Sequence, residues 1–282
     1  MNYREYPPGP ALTPWVQCCW LLESRGPLPG EAILPDGRME MIVHFGEPFR
    51  RIREGGAPEP QPKSFLADQL RACLRVEPSA RAGVLGVRFR PAGAVPFAGF
   101  PLHEAAGLAL PLDGIWSRPA VARLEQQIAE APSDAARLAG VEGFLLDRLR
   151  PRWKAPPVVD AAVRRILGAG GAGGLADVEP LADWLGLSAR QLSKHFRHYV
   201  GLGPKTLSRI ARFQAVLRLM QEAPRIPWAG AALDCGYYDQ AHLIGDFREF
   251  AGTSPAARLH PLADCFVDPG SDFSNRRAEP PV

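Results

Sequence analysis

The chain has 282 residues, 46% hydrophobic and 22% charged, with a formal net charge of +3 at pH 7. This length suits two domains of ordinary size, and the composition is that of a folded globular protein rather than a disordered or fibrous one. No apolar run approaches the roughly 20 residues of a membrane-spanning helix, so no membrane partner is predicted. The weak positive charge permits nucleic-acid binding without requiring it, so partners have to be inferred from motifs.

The cysteines and the amino terminus bear on the cellular compartment. The five cysteines are odd in number and scattered, and none forms a C-x₂-C pair, which predicts free thiols in a reducing environment. The first residues, MNYREYPPGPALTPWVQCC, have no apolar run after a basic start, so no secretory leader is predicted. We therefore expect a cytoplasmic protein.

The amino-terminal half carries short β-type segments that glycine and proline interrupt. A Pro-Asp-Gly turn precedes an apolar run in EAILPDGRMEMIVHFGE (31–47), and 82–99 contains a second strand pattern. Residues from about 117 to 150 have the periodicity of two helices. We expect residues 1–153 to form a β-rich domain with flanking helices.

The carboxy-terminal half is helical in pattern almost throughout, so the predicted fold class is α+β with an all-α domain over 154–264. Prolines in 150–159 mark the joint between the two domains. The glycine-rich stretch 167–180 is predicted to be a loop between two helices. The polar, proline-rich tail 265–282 is predicted to be disordered.

One pattern occurs twice in the carboxy-terminal half, as LGLSARQLSKHFRHYVGLGP (185–204) and as CGYYDQAHLIGDFREFAGTSP (235–255). The positions that match at a separation of 51 residues are Leu192 and Leu243, Phe196 and Phe247, Gly201 and Gly252, and Pro204 and Pro255. A duplication explains this agreement more simply than chance.

Each copy predicts a helix, a tight turn at a glycine and a second helix. Gly186 and Gly236 supply the left-handed backbone that ends the first helix. Ser188 and Asp239 are suitable N-caps for the second helix, whose Leu and Phe, four residues apart, form a buried stripe. This is the anatomy of a helix-turn-helix unit, in which the second helix enters the DNA major groove.

The segment PKTLSRIARFQAVLRLMQEA (204–223) between the copies has one apolar face and predicts a connecting helix. Twenty residues at 1.5 Å each span about 30 Å, close to the ~34 Å between successive major-groove faces of B-DNA. Such a helix would hold the recognition helices of the two units on one side of a duplex.

With these motifs, residues 158–262 resemble the DNA-binding domain of the AraC/XylS family of bacterial transcription regulators. The resemblance covers the first motif, the connecting helix with its Arg212, and the CGYYDQAHL signature of the second motif. It implies a double-stranded DNA operator as partner, with RNA polymerase and a second copy of the chain as further candidates. The amino-terminal half, with PDGRMEMIVHFG and GVRFRPAG, is similar to an uncharacterised sensor domain found ahead of such DNA-binding domains.

The resemblance places base-reading residues on both second helices. In the first, over 188–199, they are Arg190, Ser193 and Lys194, and the alternative is a solvated basic face. In the second, over about 239–251, they are Gln240, Ala241 and Ile244. Gly245 stands where the family usually has a basic residue, and three acids outnumber Arg248 in that helix. We therefore expect specificity to lie mainly in the first helix.

Phosphate contacts are predicted from basic residues of the two reading helices and of the connecting helix. The candidates are Arg197, Lys205, Arg209, Arg212 and His242. For Arg212, a structural ion pair inside the domain is an equal alternative. Trp184 and Trp228 are predicted to be core residues rather than DNA-stacking residues.

The amino-terminal half contains no motif for catalysis, a cofactor or a metal, since His44 and His103 are isolated histidines. We expect no enzyme but a sensor domain with a small apolar pocket. The predicted polar contacts to an effector are Asp36, Arg38, Glu40 and Arg88. Two alternatives remain: the domain is an enzyme, or it is only a dimerisation module.

Overall fold

In the computed structural model, residues 2–258 are described, apart from 27, 29, 53–55, 108, 169–176 and 223–225. Most of the predicted glycine-rich loop and the whole predicted tail lie outside the described residues.

The amino-terminal half is built on two antiparallel sheets. The strands are β1 Asn2–Tyr6, β2 Val16–Arg25, β3 Glu31–Ile33, β4 Glu40–His44, β5 Arg50–Ile52, β6 Glu59–Pro60, β7 Ser64–Ala67, β8 Leu74–Glu77, β9 Arg81–Phe89 and β10 Ala109–Pro111. The larger sheet has the order β1-β2-β9-β4-β7-β10, and the smaller has the order β3-β8-β5-β6. The strands predicted in 31–47 and 82–99 correspond to β4 and β9.

Both faces of the larger sheet are buried. Each strand contributes to both, because side chains alternate along a strand. Odd-numbered residues of β2, β4 and β9, such as Leu21, Met41 and Leu85, belong to a core shared with helices. Even-numbered residues, such as Leu22 and Ile42, face a smaller core that includes the second sheet. The larger sheet therefore lies between a helical layer and the smaller sheet.

Apart from loops and three short 3₁₀-helices, α-helices make up the rest of the described chain. They are α1 Val95–Ala98, α2 Arg118–Glu130, α3 Asp134–Leu146, α4 Pro157–Gly168, α5 Val178–Trp184, α6 Ala189–Tyr199, α7 Pro204–Glu222, α8 Trp228–Asp234, α9 Gln240–Ala251 and α10 Pro255–Arg258. The two helices expected between 117 and 150 are α2 and α3, and the predicted connecting helix is α7. The α+β fold class is confirmed. Within the described ranges, no helix is long and apolar enough to cross a membrane.

Helices α4 to α9 share one core, centred on α7. The repeated Phe196 and Phe247 are fully buried in it, as are Leu192 and Leu243. The ring of Phe213 on α7 contacts that of Phe247 with centroids 5.3 Å apart. Burial of this repeated Leu and Phe stripe fixes which face of α6 and of α9 remains exposed.

Candidate functional site

The two duplicated units have the same turn. Gly186 and Gly236 adopt φ of +68° and +78°, a conformation that residues with a Cβ resist. After each glycine the chain returns a backbone hydrogen bond to the first helix, from Leu187 N to Ala182 O (2.9 Å) and from Tyr237 N to Ala232 O (2.8 Å). The duplication therefore preserves the backbone of a helix-turn-helix as well as its sequence pattern.

The first reading helix, α6, begins at a capping box. The Ser188 hydroxyl accepts a hydrogen bond from Gln191 N, and the Gln191 side chain accepts one from Ser188 N at 2.9 Å. The S-x-x-Q spacing carries this signal in the sequence, but only the Ser188 cap is predicted above.

Replacing Ser188 with alanine is expected to lower the free energy of unfolding by about 1 kcal/mol, because the Gln191 amide at the start of α6 loses its partner. Chemical denaturation followed by circular dichroism measures the change. Ser193→Ala, on the same helix but away from the cap, is the matched control. Equal effects of the two substitutions would contradict the role of the cap.

The predicted base-reading residues of α6 lie on its outer face. Arg190 and Lys194 are exposed, one turn apart, and Ser193 beside them is half-buried. Arg197, a predicted phosphate contact, is exposed one turn further on. The structure brings these four side chains to one side of the helix, opposite Leu192 and Phe196.

The second reading helix, α9, presents a smaller and less charged surface. Gln240, Ala241 and His242 are exposed in its first turn, where Asp239 accepts a hydrogen bond from His242 N at 2.7 Å. Ile244 is half-buried against the core. Gly245 is exposed, and a Cβ added there would meet nothing within 4 Å.

The acidic residues of α9 do not make its outer face acidic. Asp246 is 4% exposed and points to α7, where Arg209 approaches its Oδ1 at 2.8 Å and Arg212 its Oδ2 at 3.7 Å. Glu249 pairs with Arg209, and this ion pair lowers the pKa of the Glu249 carboxyl. Two of the three acids are therefore paired with α7, while Asp239 remains exposed as the N-cap. The small side chains remain as the main reason to expect a weaker reader.

The predicted phosphate contacts separate into two groups. Lys205 and His242 are exposed, as is Arg197. Arg209 and Arg212 are instead tied to α9, and Arg212 also lies over the Tyr237 ring, 5.1 Å from its centroid. The pair of Arg212 with Asp246 is the structural ion pair considered above as the alternative for Arg212. Arg209 takes part in the same ion pair. Their contact with phosphate stays a prediction.

The expectation for Trp184 is wrong. Its side chain is 54% exposed, and the Arg165 guanidinium lies 4.6 Å from its ring centroid. Trp184 is the last residue of α5, and its ring lies outside the shared core. Trp228 is half-buried against the core, as expected.

A cavity of about 140 Å³ lies beneath the larger sheet, between the two amino-terminal sheets. Its wall includes all four predicted effector contacts, Asp36, Arg38, Glu40 and Arg88. Arg88 donates to Glu40 Oε1 at 2.8 Å and to Glu5 Oε1 at 3.1 Å. Burial opposes the charge on Arg88, but the carboxylates of Glu40 and Asp36 outweigh it and raise the pKa of the guanidinium.

Sequence reasoning missed the residue that closes this cavity from the carboxy-terminal side. Gln214 of α7 lies in the cavity wall and donates a hydrogen bond to Pro35 O at 2.7 Å. Beside it, Gly37 has φ +75°, and a Cβ added there would lie 2.7 Å from the Leu207 side chain. The Pro-Asp-Gly turn was predicted as a strand-joining turn, but it also docks on the connecting helix. A contact between positions 179 residues apart has no local signal.

The amino-terminal half also touches the end of the first reading helix. Gln69 donates a hydrogen bond to Val200 O, and His103 Nδ1 lies 3.2 Å from Arg197 O. The ring of Trp153 stacks on that of His198, with centroids 5.7 Å apart. The cavity-bearing half thus contacts both α6 and α7.

The comparisons with known proteins agree with this geometry. Residues 181–259 match a helix-turn-helix domain family, and residues 4–111 match a domain of unknown function. Because the matched helices repeat one turn and present two exposed second helices, the carboxy-terminal unit is a helix-turn-helix DNA-binding domain. It is of the AraC type, and the chain is a DNA-binding transcription regulator.

Several solved structures are similar to this chain. A transcriptional regulator from Chromobacterium violaceum with an AraC-type DNA-binding domain is 22% identical, over 40% of this chain and 96% of its own, with a TM-score of 0.34. The carboxy-terminal domain of AraT, a response regulator from Geobacillus stearothermophilus, is 23% identical, over 38% and 86%, with a TM-score of 0.35. ToxT from Vibrio cholerae, solved with an unsaturated fatty acid, is 10% identical over 85% and 93%, with a TM-score of 0.41. No curated protein matches the chain significantly.

Proposed function

We propose that this regulator responds to a small molecule that binds in the amino-terminal cavity. The observation that supports the proposal is the composition of the wall: residues of the β-rich half and Gln214 of the connecting helix line the same space. A ligand there would touch the element that holds the two reading helices together. In this scheme 1–153 senses, 154–264 binds DNA and the joint lies near residue 153.

The proposed mechanism is a shift between two arrangements of the halves. A ligand changes this equilibrium only if it binds one arrangement better than the other. In this proposal the 35–38 turn supplies the difference, because Pro35 and Gly37 contact α7 while Asp36 and Arg38 line the cavity. Movement of this turn would alter the support of α7, and with it operator affinity or contact with RNA polymerase.

The other parts of the proposal follow from the DNA partner. The operator is bacterial chromosomal DNA, so we place the protein in the cytoplasm. A second copy of the chain is a candidate partner, since paired regulators read longer sites.

The sensing half is proposed to have no enzymatic activity. Within the described ranges, no three His, Cys, Asp or Glu side chains cluster in a way that could hold a metal ion.

Filling the cavity with a side chain tests the proposal without any ligand. Ala67 lines the cavity from β7, and Ala67→Phe would place a ring in that space. We expect operator affinity of the full chain to change by at least about five-fold, the lower end of ordinary coupling between two sites. Fluorescence anisotropy measures this affinity, with the upstream DNA segment that the full chain protects in a footprinting experiment.

Ala135→Phe, which adds the same ring at an exposed position of α3, is the matched control. Unchanged affinity in a folded Ala67→Phe protein would favour the alternative in which the amino-terminal half only dimerises.

A further inference from the structure

The charged groups of the cavity wall carry an excess of negative charge. The carboxylates are those of Glu31, Asp36, Glu40 and Asp68, and the guanidinium groups are those of Arg38 and Arg88. Burial raises the pKa of the Asp68 carboxyl, but even with this group neutral the carboxylates outnumber the cations. Burial also lowers the pKa of His44 to about 4, so its imidazole adds no positive charge near neutrality.

Both cations of the wall are already paired with carboxylates. Arg88 bridges Glu5 and Glu40, at 3.1 and 2.8 Å, and Arg38 lies 3.5 Å from Asp36. A bound anion would have to compete with these partners for the guanidinium groups, and displacing a buried paired charge is costly. A cation would meet the same competition at Asp36 and Glu40, so the preference between the two comes from the excess of carboxylates in the wall.

A buried acceptor at the wall points in the same direction. His44 is 1% exposed, and its Nε2 lies 3.2 Å from the amide oxygen of Gln61. An amide oxygen only accepts, so Nε2 carries the proton and Nδ1 is left as an acceptor. Nδ1 has no hydrogen-bond partner among the described residues, and a buried polar atom of this kind is normally satisfied. A ligand N–H group that reached Nδ1 would satisfy it.

The remaining surface of the cavity suits a compact apolar body. Aromatic rings contribute to the wall: Tyr3, Trp20, Phe49 and Phe65. The volume of about 140 Å³ is close to that of an engineered apolar cavity of ~150 Å³ that takes up benzene. Aromatic faces also attract an organic cation.

From these observations we infer that the cavity binds a small organic cation, consisting of one apolar ring or a body of that size and a protonated amino group. The inference rests on the proposed sensing function and gives the ligand its chemical class. The ring would lie among the aromatic side chains, and the ammonium group would face the carboxylates and His44 Nδ1.

Three probes of nearly equal shape and different charge test the inference: 2-phenylethylamine, 2-phenylethanol and phenylacetate. Each is titrated into the full chain without DNA, by calorimetry and by the fluorescence of Trp20 in the wall. We expect the amine to bind about ten-fold or more tightly than phenylacetate, because one unit charge a few Å from another at an effective dielectric constant near 20 has at least this effect. Equal or tighter binding of phenylacetate, or no binding of the amine, would overturn the inference.

Asp36→Asn provides a change of selectivity that a merely structural defect would not produce. The backbone of Arg38 donates to Asp36 Oδ1 at 2.9 Å, and an asparagine oxygen can keep this bond. The substitution removes one wall carboxylate and releases Arg38 from its pair, so the preference for the amine over phenylacetate should fall about ten-fold. Asp113→Asn removes an exposed carboxylate that pairs with Arg118 outside the cavity, and it should leave the preference unchanged.

Operator affinity measured with the same probes separates this inference from the proposed function. If phenylacetate binds better and changes operator affinity, the sensing function stands and the cationic class is wrong. If the amine binds and operator affinity does not change, the class stands and the sensing function is wrong.

Discussion

Replacement of Asp246 with alanine is expected to lower the free energy of unfolding of the carboxy-terminal unit by about 3–5 kcal/mol, the usual effect of breaking a buried ion pair on one side. The carboxylate is almost fully buried between α7 and α9, and Arg209 and Arg212 both approach it. Its loss removes this counter-charge from two partly buried guanidinium groups, although Arg209 keeps its pair with the exposed Glu249.

Urea denaturation at pH 7, followed by circular dichroism, measures this effect. Glu249→Ala is the matched control, because Glu249 also pairs with Arg209 but its side chain is 54% exposed. An exposed pair contributes up to about 1 kcal/mol, so the control should lose no more than that. A loss below 1 kcal/mol for Asp246→Ala would show that the pair does not hold the second reading unit on the connecting helix.

Substitution of Arg190 with alanine should weaken operator binding by about ten- to a hundred-fold, since a well-placed arginine contact to guanine contributes ~1–3 kcal/mol to discrimination. Gln240→Ala, on the second reading helix, should have a smaller effect because α9 presents small, uncharged side chains. Footprinting of the full chain on its upstream DNA first locates the site, with two protected major-groove segments one helical turn apart expected. Binding curves of the variants then follow.

Lys205→Ala separates reading from phosphate contact. A lost phosphate contact should weaken binding to all sequences alike and reduce the salt dependence by about one unit of slope. Arg190→Ala should instead relax specificity at particular base pairs. The prediction that α6 contributes more to operator binding than α9 is wrong if Gln240→Ala lowers operator affinity more than Arg190→Ala does.

The carboxy-terminal unit could be predicted in detail because its signals are local. The Leu and Phe stripe, the turn glycines and the N-caps all act within about one helical turn, and each occurs twice. The prediction failed where burial depends on distant neighbours. Trp184 is expected in the core from the helix pattern, but it lies at the end of α5 and is about half exposed.

The cavity was only partly predictable. Alternation along β4 and β9 indicates that Glu40 and Arg88 are on the same sheet face as Ile42 and Val84, so a common site for them could be expected. The role of Gln214 in the cavity could not be predicted. The helical pattern indicates that this residue lies on a packing face, but it does not indicate which part of the chain packs against it. The formal acidity of α9 misled for the same reason: charge counted along a sequence does not say that Asp246 points inward.

The empty position at Gly245 has a consequence for how this regulator can change over evolution. A Cβ introduced there would meet no atom within 4 Å outside the backbone of its own helix, and the helix would gain up to about 1 kcal/mol of propensity over glycine. A single codon change could therefore add a base contact while strengthening the fold.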